Sequence, residues 1–250
     1  MVETLLKQLS DKKARLDSFR PLPHELVKNL DDWFRVELTY TSNAIEGNTL
    51  TRNETALVIE KRLTIGGKTI NEHLEAEGHA AAYNFIKYLI DTPGSDLALK
   101  DILEIHRIIL RRIDPPNAGR LRNIAVRIAG STTVLPNPAK VPSLIDQFIL
   151  WLHSVNDPPD HPAKIAADAH LKFVTIHPFI DGNGRTARLL MNLLLMQSGY
   201  PPCLIQKEER LEYINAIERA DNFNELDDYY RVIFGGIERS LDVYLDALGT

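Results

Sequence analysis

The chain has 250 residues, 44% hydrophobic and 25% charged, an ordinary composition for a soluble globular protein of one large domain or two small ones. Its 29 Lys and Arg against 34 Asp and Glu leave a net charge of −5 with no long basic stripe, which argues against general nucleic-acid binding. The single cysteine, Cys203, has no partner for an internal disulfide, which suits a reducing compartment, and no run of about 18 apolar residues exists to cross a membrane.

Residues 1–7 are charged and amphipathic and lack the apolar stretch of a signal peptide, so the expected compartment is the cytoplasm. Residues 2–18 alternate charge with Leu5, Leu6, Leu9 and Leu16 and predict an amphipathic helix, which Pro21 and Pro23 break. Residues 24–45 predict a second, with Leu26, Leu30, Trp33, Phe34 and Leu38 on one side. Asn48-Thr49-Leu50-Thr51 reads as a turn and N-cap ahead of a helix over about 52–63. Gly66-Gly67-Lys68 is a loop, and a long helix over 71–90 is closed by Asp91-Thr92-Pro93-Gly94. Another helix, over 99–112, ends at Asp114-Pro115-Pro116. Residues 124–135 are β-branched around Gly130-Ser131 and predict a β-hairpin. A helix over 143–154, a loop at Asn156-Asp157-Pro158-Pro159 and a helix over 162–176 that opens on proline come next. Two or more helices fill 207–247. There is no repeat, low-complexity tract or linker, so the expected fold class is all-α, a single domain with one small β-hairpin.

The densest chemistry is His177-Pro178-Phe179-Ile180-Asp181-Gly182-Asn183-Gly184-Arg185-Thr186-Ala187-Arg188. The apolar run at 189–196 predicts a buried helix, so the glycines sit at its N-terminus, where unpaired N–H groups and the helix dipole favour an anion. Gly182 and Gly184 keep side chains off a bound phosphate, and Arg185 and Arg188 share a helix face from which both can fork onto its oxygens. His177 precedes a proline and follows a helix, which places its imidazole at the helix end facing that loop. It can take a proton from a hydroxyl, or merely cap the helix. Asp181 beside a phosphate site suits a Mg²⁺ ligand, or an Asx-turn, and both roles can coexist. Asn183 either donates to a phosphate oxygen or braces the loop, and Phe179 is expected as a buried anchor.

A second motif, Ser42-Asn43-Ala44-Ile45-Glu46-Gly47-Asn48, ends a helix with Gly47 at the position after the cap. Glu46 then sets a negative charge at the negative end of the dipole, at a cost of ~0.3–1 kcal/mol. A nearby cation would offset that cost, and Arg188 is the candidate. Ser42, one turn earlier, is placed to hydrogen-bond the Glu46 carboxylate.

The first string matches the signature HxFx(D/E)GNGRxxR without a gap, and the chain resembles the Fic family, enzymes that move AMP from ATP onto protein hydroxyls. The second resembles that family's inhibitory motif, (S/T)xxxE(G/N), in the class where the inhibitory helix precedes the catalytic fold. Ala44-Ile45-Glu46-Gly47-Asn48-Thr49, Leu103-Glu104-Ile105-His106 and Gly199-Tyr200-Pro201-Pro202 extend the likeness to the family's animal endoplasmic-reticulum branch over about 37–240. The resemblance implies a helical extension at 1–35, a Fic domain at 36–240 with its inhibitory helix at about 36–46, and a tail at 241–250. It implies His177 as base, ATP phosphates on Gly182, Asn183, Gly184, Arg185 and Arg188, and adenine near Tyr213 and Asp221 or Asn222. Tyr213 could equally be core. It implies Mg²⁺ or Mn²⁺ at Asp181, ATP as co-substrate, and a protein target with a Ser, Thr or Tyr hydroxyl. The hairpin with Gly130, Ser131, Thr132 and Thr133 corresponds to the family's target-binding flap, or simply covers the core. A homodimer near residues 67–74 with Ile70 is a further implication, and removal of AMP with Glu46 placing a water is the alternative activity.

Overall fold

A computed structural model describes residues 1–92, 97–155 and 160–249. The expected stop at Pro93-Gly94 and the loop at Asn156-Asp157-Pro158-Pro159 lie outside the described residues. Among the described residues are ten α-helices: α1 (Val2–Asp17), α2 (His24–Ile45), α3 (Arg52–Lys61), α4 (Ile70–Asp91), α5 (Leu99–Leu110), α6 (Val141–Ser154), α7 (Pro162–Ile176), α8 (Asn183–Gln197), α9 (Arg210–Phe223) and α10 (Asp227–Ala247).

Local chemistry sets the ends. Thr51 and Thr69 each cap a helix in a reciprocal box with Glu54 and Glu72, satisfying two orphan donors apiece. The Glu72 carboxylate gathers the hydroxyl and amide of Thr49 as well as the Thr69 amide, which hold its pKa down at about 2. The end of α2 closes as Gly47 N–H bonds the Ala44 carbonyl and Asn48 N–H that of Asn43, with Gly47 at φ +104°.

The helix α8 is the hub. It packs along α7 and is also met by α4, α5 and α2. Leu189, Leu190 and Leu193 join Phe173, Phe179, Ile105 and Ile109 in one core, while Met191 and Leu195 join Tyr213, Tyr229 and Ile233 in a second under α9 and α10. Apolar contact on both faces explains why α8 reads as a continuous hydrophobic run. The first helix lies along α10, so the two ends of the chain cover one side together. The helix α10 runs unbroken from Asp227 through Ala247, across position 241.

One expectation of the fold is corrected. Among the described residues no strand forms, so the β-hairpin over 124–135 is absent. The segment does turn at Gly130, φ +80°, with Ser131 N–H on the Ile128 carbonyl at 3.2 Å. Past the turn, its donors go elsewhere. Ser131 Oγ, Thr132 N and Thr132 Oγ1 all donate to one oxygen of Glu218 on α9, at 2.9, 3.1 and 3.2 Å. A lone two-stranded ribbon is marginal in water, and an ionised acceptor outcompetes it. Trp33 is 40% exposed and lies edge-on to buried Phe34, at the rim of the core.

Candidate functional site

The six-residue link between α7 and α8 carries the site. His177 caps α7 in the left-handed conformation, φ 48° and ψ 62°, a strain of about 1–3 kcal/mol for a residue with a Cβ. Phe179 is fully buried under it. Asn183 braces the turn with both ends of its amide: Oδ1 accepts from Phe179 N–H at 2.9 Å and Nδ2 donates to the Phe179 carbonyl at 3.0 Å. Of the two roles open for Asn183, the structure places it in bracing.

His106 on α5 holds the same turn from below. Its ring stacks on Phe179 with centroids 3.6 Å apart and planes 2° apart. Nδ1 accepts from Gly119 N–H at 2.9 Å, so Nε2 carries the proton and donates to the Asp181 carbonyl at 2.9 Å. Burial pushes its pKa down to about 4, consistent with that neutral tautomer. Gly182, at φ +75°, would press a Cβ to within 3.3 Å of the His106 ring. Space and backbone therefore both select glycine there.

The turn opens into a cleft of about 460 Å³ lined by Glu46, His177, residues 181–184, Arg188, Tyr213, Asp221 and flap residues Ser131 and Thr133. A larger cavity of about 620 Å³ lies between α2, α3, α4 and α5 but touches neither His177 nor the glycine turn. Chemistry rather than volume picks the site. Burial lowers the pKa of His177, with the Val174 backbone working the other way. The neutral ring keeps the lone pair of one nitrogen, ready to accept a proton. Asp181 is 65% exposed at the cleft mouth and meets Arg185 at 3.3 Å.

Buried Arg188 sits deeper. Its Nε donates to Ser42 Oγ at 2.9 Å, and Nη2 donates to the Ser42 carbonyl at 2.9 Å and to Glu46 Oε1 at 2.6 Å. The expected Arg188–Glu46 pair is present. The expected Ser42–Glu46 bond is not: the serine hydroxyl, buried among α2 and α8, faces the stronger donor and holds the arginine instead. Burial works to raise the pKa of Glu46, but the charge and hydrogen bond of Arg188 outweigh it, with Arg185 and Arg210 adding, and the carboxyl falls below its ordinary value. Arg210 Nε also donates to the Ile45 carbonyl at 2.6 Å, a cation on the C-terminus of α2. Gly184 lies directly beneath the Glu46 carboxylate, and a Cβ there would collide with Oε1.

Arg185 reaches Glu75 Oε1 at 3.1 Å, and Glu75 in turn accepts from Asn48 Nδ2 at 2.9 Å. Its Nε is buried without a partner. Tyr213 is 2% exposed, with its hydroxyl on His170 Nε2 at 2.6 Å and the Arg188 guanidinium 6.0 Å from its ring centroid. It is thus core and cleft wall at once. Asp221 accepts from Thr175 Oγ1 at 2.7 Å, and Asn222 from Thr133 Oγ1 at 3.3 Å. Sequence reasoning missed His106 as a brace, Glu75 as the partner of Arg185, and Glu218 as the anchor of the flap. Each lies on another helix at ordinary amphipathic spacing, and only the packing brings it to the cleft.

Fold and site together define a helical protein in which a buried histidine, a glycine turn at a helix N-terminus and an Arg188–Glu46 ion pair share one cleft. The model of the Fic/DOC family matches residues 96–195. "Protein adenylyltransferase Fic" of Aedes aegypti is 43% identical over 210 residues, covering 84% of this chain and 42% of that protein. Among solved structures, Fic-1 from C. elegans (residues 134–508) superposes with TM-score 0.90 at 34% identity, covering 99% of this chain and 73% of that one. A Fic domain containing signaling protein from Bacteroides thetaiotaomicron gives TM-score 0.87 at 30% identity, covering 97% and 96%. The chain belongs to the Fic family. It spans less than half the length of the curated relative it matches from Aedes aegypti.

Proposed function

We propose that this chain is a protein adenylyltransferase that moves AMP from ATP to a Ser, Thr or Tyr hydroxyl of a target protein, held in check by Glu46. The observation that carries the reading is the 2.6 Å Glu46–Arg188 pair in the cleft onto which His177 opens. The target hydroxyl oxygen attacks the α-phosphorus, its proton passes to the free nitrogen of His177, and pyrophosphate leaves. The N-terminus of α8, with Arg185 and Arg188, neutralises the phosphates. Tyr213 and Asp221 wall the adenosine end.

A divalent cation fits the donor set. Among the described residues no cluster of three or more His, Cys, Asp or Glu side chains forms a closed cage. Exposed Asp181 would hold the ion with one carboxylate, together with oxygens of the bound nucleotide, a donor set that Mg²⁺ or Mn²⁺ accepts. The ion would supply charge neutralisation on the phosphates. The flap is the surface for the target: Ile128, 37% exposed, lines the cleft, and Val134 beside cleft-lining Thr133 is 76% exposed. Ile70, 68% exposed, marks the face where a second copy would pack. Among the described residues no helix is long and apolar enough to cross a membrane, and we keep the cytoplasm as the proposed compartment.

Arg188 has two anionic suitors, Glu46 and the terminal phosphate of ATP. A closed state favoured by ~2.7 kcal/mol leaves about 1% competent, so Glu46→Gly is expected to raise AMP incorporation roughly a hundredfold. Labelled ATP, with the protein itself and a cell lysate as acceptors, measures it. Arg188→Ala is expected to stay silent, because it removes the phosphate ligand with the latch. A second reading rests on the ionised Glu46 carboxylate and His177 lining one cleft: together they can orient a water and remove AMP. Should Glu46→Gly be no more active than the parent, this hydrolase reading takes precedence.

A further inference from the structure

Arg122 is 3% exposed, and none of its partners among the described residues is a carboxylate. A buried cation without a counter-ion is costly, so its contacts have to repay it. Burial accordingly depresses its pKa. Nε donates to the His177 carbonyl at 2.7 Å, Nη1 to the Ile124 carbonyl at 3.2 Å and Nη2 to the Pro136 carbonyl at 2.7 Å. Its own backbone N–H donates to the Pro178 carbonyl at 2.8 Å.

These four acceptors are not a random set. Ile124 and Pro136 are the two ends of the flap, which has no strand ladder of its own to hold them side by side. The direction of the His177 carbonyl is fixed by the ψ of that residue, which sits in the left-handed region where a non-glycine rarely rests. The guanidinium meets the three carbonyls from three different nitrogens, a spread that the single nitrogen of an ammonium does not cover.

We propose that Arg122 is a positioning residue that couples the flap to the base: one guanidinium sets the spacing of the two flap ends and the orientation of His177 together. A target seated on the flap is thereby held in a fixed relation to the nitrogen that takes its proton. The inference rests on the transferase reading for its consequence in catalysis, though not for its consequence in structure.

Two variants in the Glu46→Gly background test it, Arg122→Lys and Arg122→Gln. The lysine keeps the charge and three donors but carries them on one nitrogen, so a merely electrostatic role would be rescued by it and a spread fork would not. The expected result is a kcat for AMP transfer roughly tenfold to a hundredfold lower in both, with ATP affinity within about twofold of the parent. Trypsin cleavage after exposed Arg127 in the flap, timed on the same proteins, is expected to accelerate several-fold. If Arg122→Lys transfers AMP at the parental kcat, the inference is overturned. If the Glu46→Gly parent itself transfers nothing, the functional reading fails, and the cleavage rate decides the coupling alone: acceleration sustains it, an unchanged rate sinks it. Should Arg122→Gln not fold, the lysine variant carries both measurements.

Discussion

Glu46 and His177 are two titratable residues tuned in the same direction by different causes. Arg188 holds the glutamate ionised against its burial, so the ion pair is intact at neutral pH and is lost only as pH falls through a carboxyl value below the ordinary 4.5. His177 is lowered from the ordinary 6.5 chiefly by burial, while Glu46 and Asp181 pull it the other way. A base with a depressed pKa stays unprotonated, and therefore competent, further into acid. The acid limb of the pH–rate profile of Glu46→Gly is thus expected below pH 6.5, and His177→Ala in that background is expected to abolish transfer while leaving the fold intact. An acid limb at or above 6.5 would contradict this assignment of the base. Charge rather than size should dominate the latch, so Glu46→Gln is expected to release only part of the inhibition.

At the scale of elements, the turn between α7 and α8 is rigid because other helices hold it. His106 from α5 fills three roles at once: a stacking partner for Phe179, an acceptor for Gly119 N–H and a donor to the Asp181 carbonyl. His106→Ala leaves a cavity under Phe179 and an unpaired N–H. The expected cost is about 2–4 kcal/mol, read as a fall in Tm of several degrees, together with weaker nucleotide binding by the loosened loop. A variant that keeps both its Tm and its ATP affinity would show that the turn needs no brace. The α7–α8 pairing explains why His177 and the glycine turn lie within one short link, whereas Glu46 arrives from the end of α2, 142 residues before Arg188 in sequence.

For the whole molecule, three buried neutral histidines couple the fold to pH. Burial holds His79 at about 3, His106 at about 4 and His170 at about 3. Unfolded, each would titrate near 6.5. Below that value the unfolded chain binds protons that the folded one refuses, so stability falls as pH falls. Near pH 5 the difference approaches three protons, a slope of about 4 kcal/mol per pH unit. The lowered carboxyl of Glu72 adds a loss of the same sign further into acid. Urea unfolding at pH 7, 6 and 5 measures the slope, and His170→Gln is expected to reduce it by about one proton's worth, ~1.4 kcal/mol per unit. A slope unchanged by that substitution would mean His170 is protonated in both states.

Much of this was written in the chain itself. Helix α2 and helix α7 begin and end where the periodicity and the prolines place them, because those signals are local: a cap, a ring without an N–H, a glycine after the last turn. The glycine turn at the start of α8 and the place of His177 at the end of α7 were legible for the same reason, since twelve adjacent residues carry them, and Gly47 with Glu46 marked a charge at an unfavourable helix end. What the sequence could not determine was which long-range partner would win each polar group. The donors of residues 131–132 went to Glu218 rather than across a hairpin, because an ionised carboxylate delivered by α9 outcompetes neutral strand partners, and Ser42 went to the Arg188 guanidinium brought in by α8 rather than to Glu46. His106, Glu75 and Arg122 look like any residues on or beside a helix until the packing of α4 and α5 against α8 sets them around one turn. Local backbone preference is encoded in neighbouring residues; the pairing of buried polar atoms is decided only when distant helices close the core.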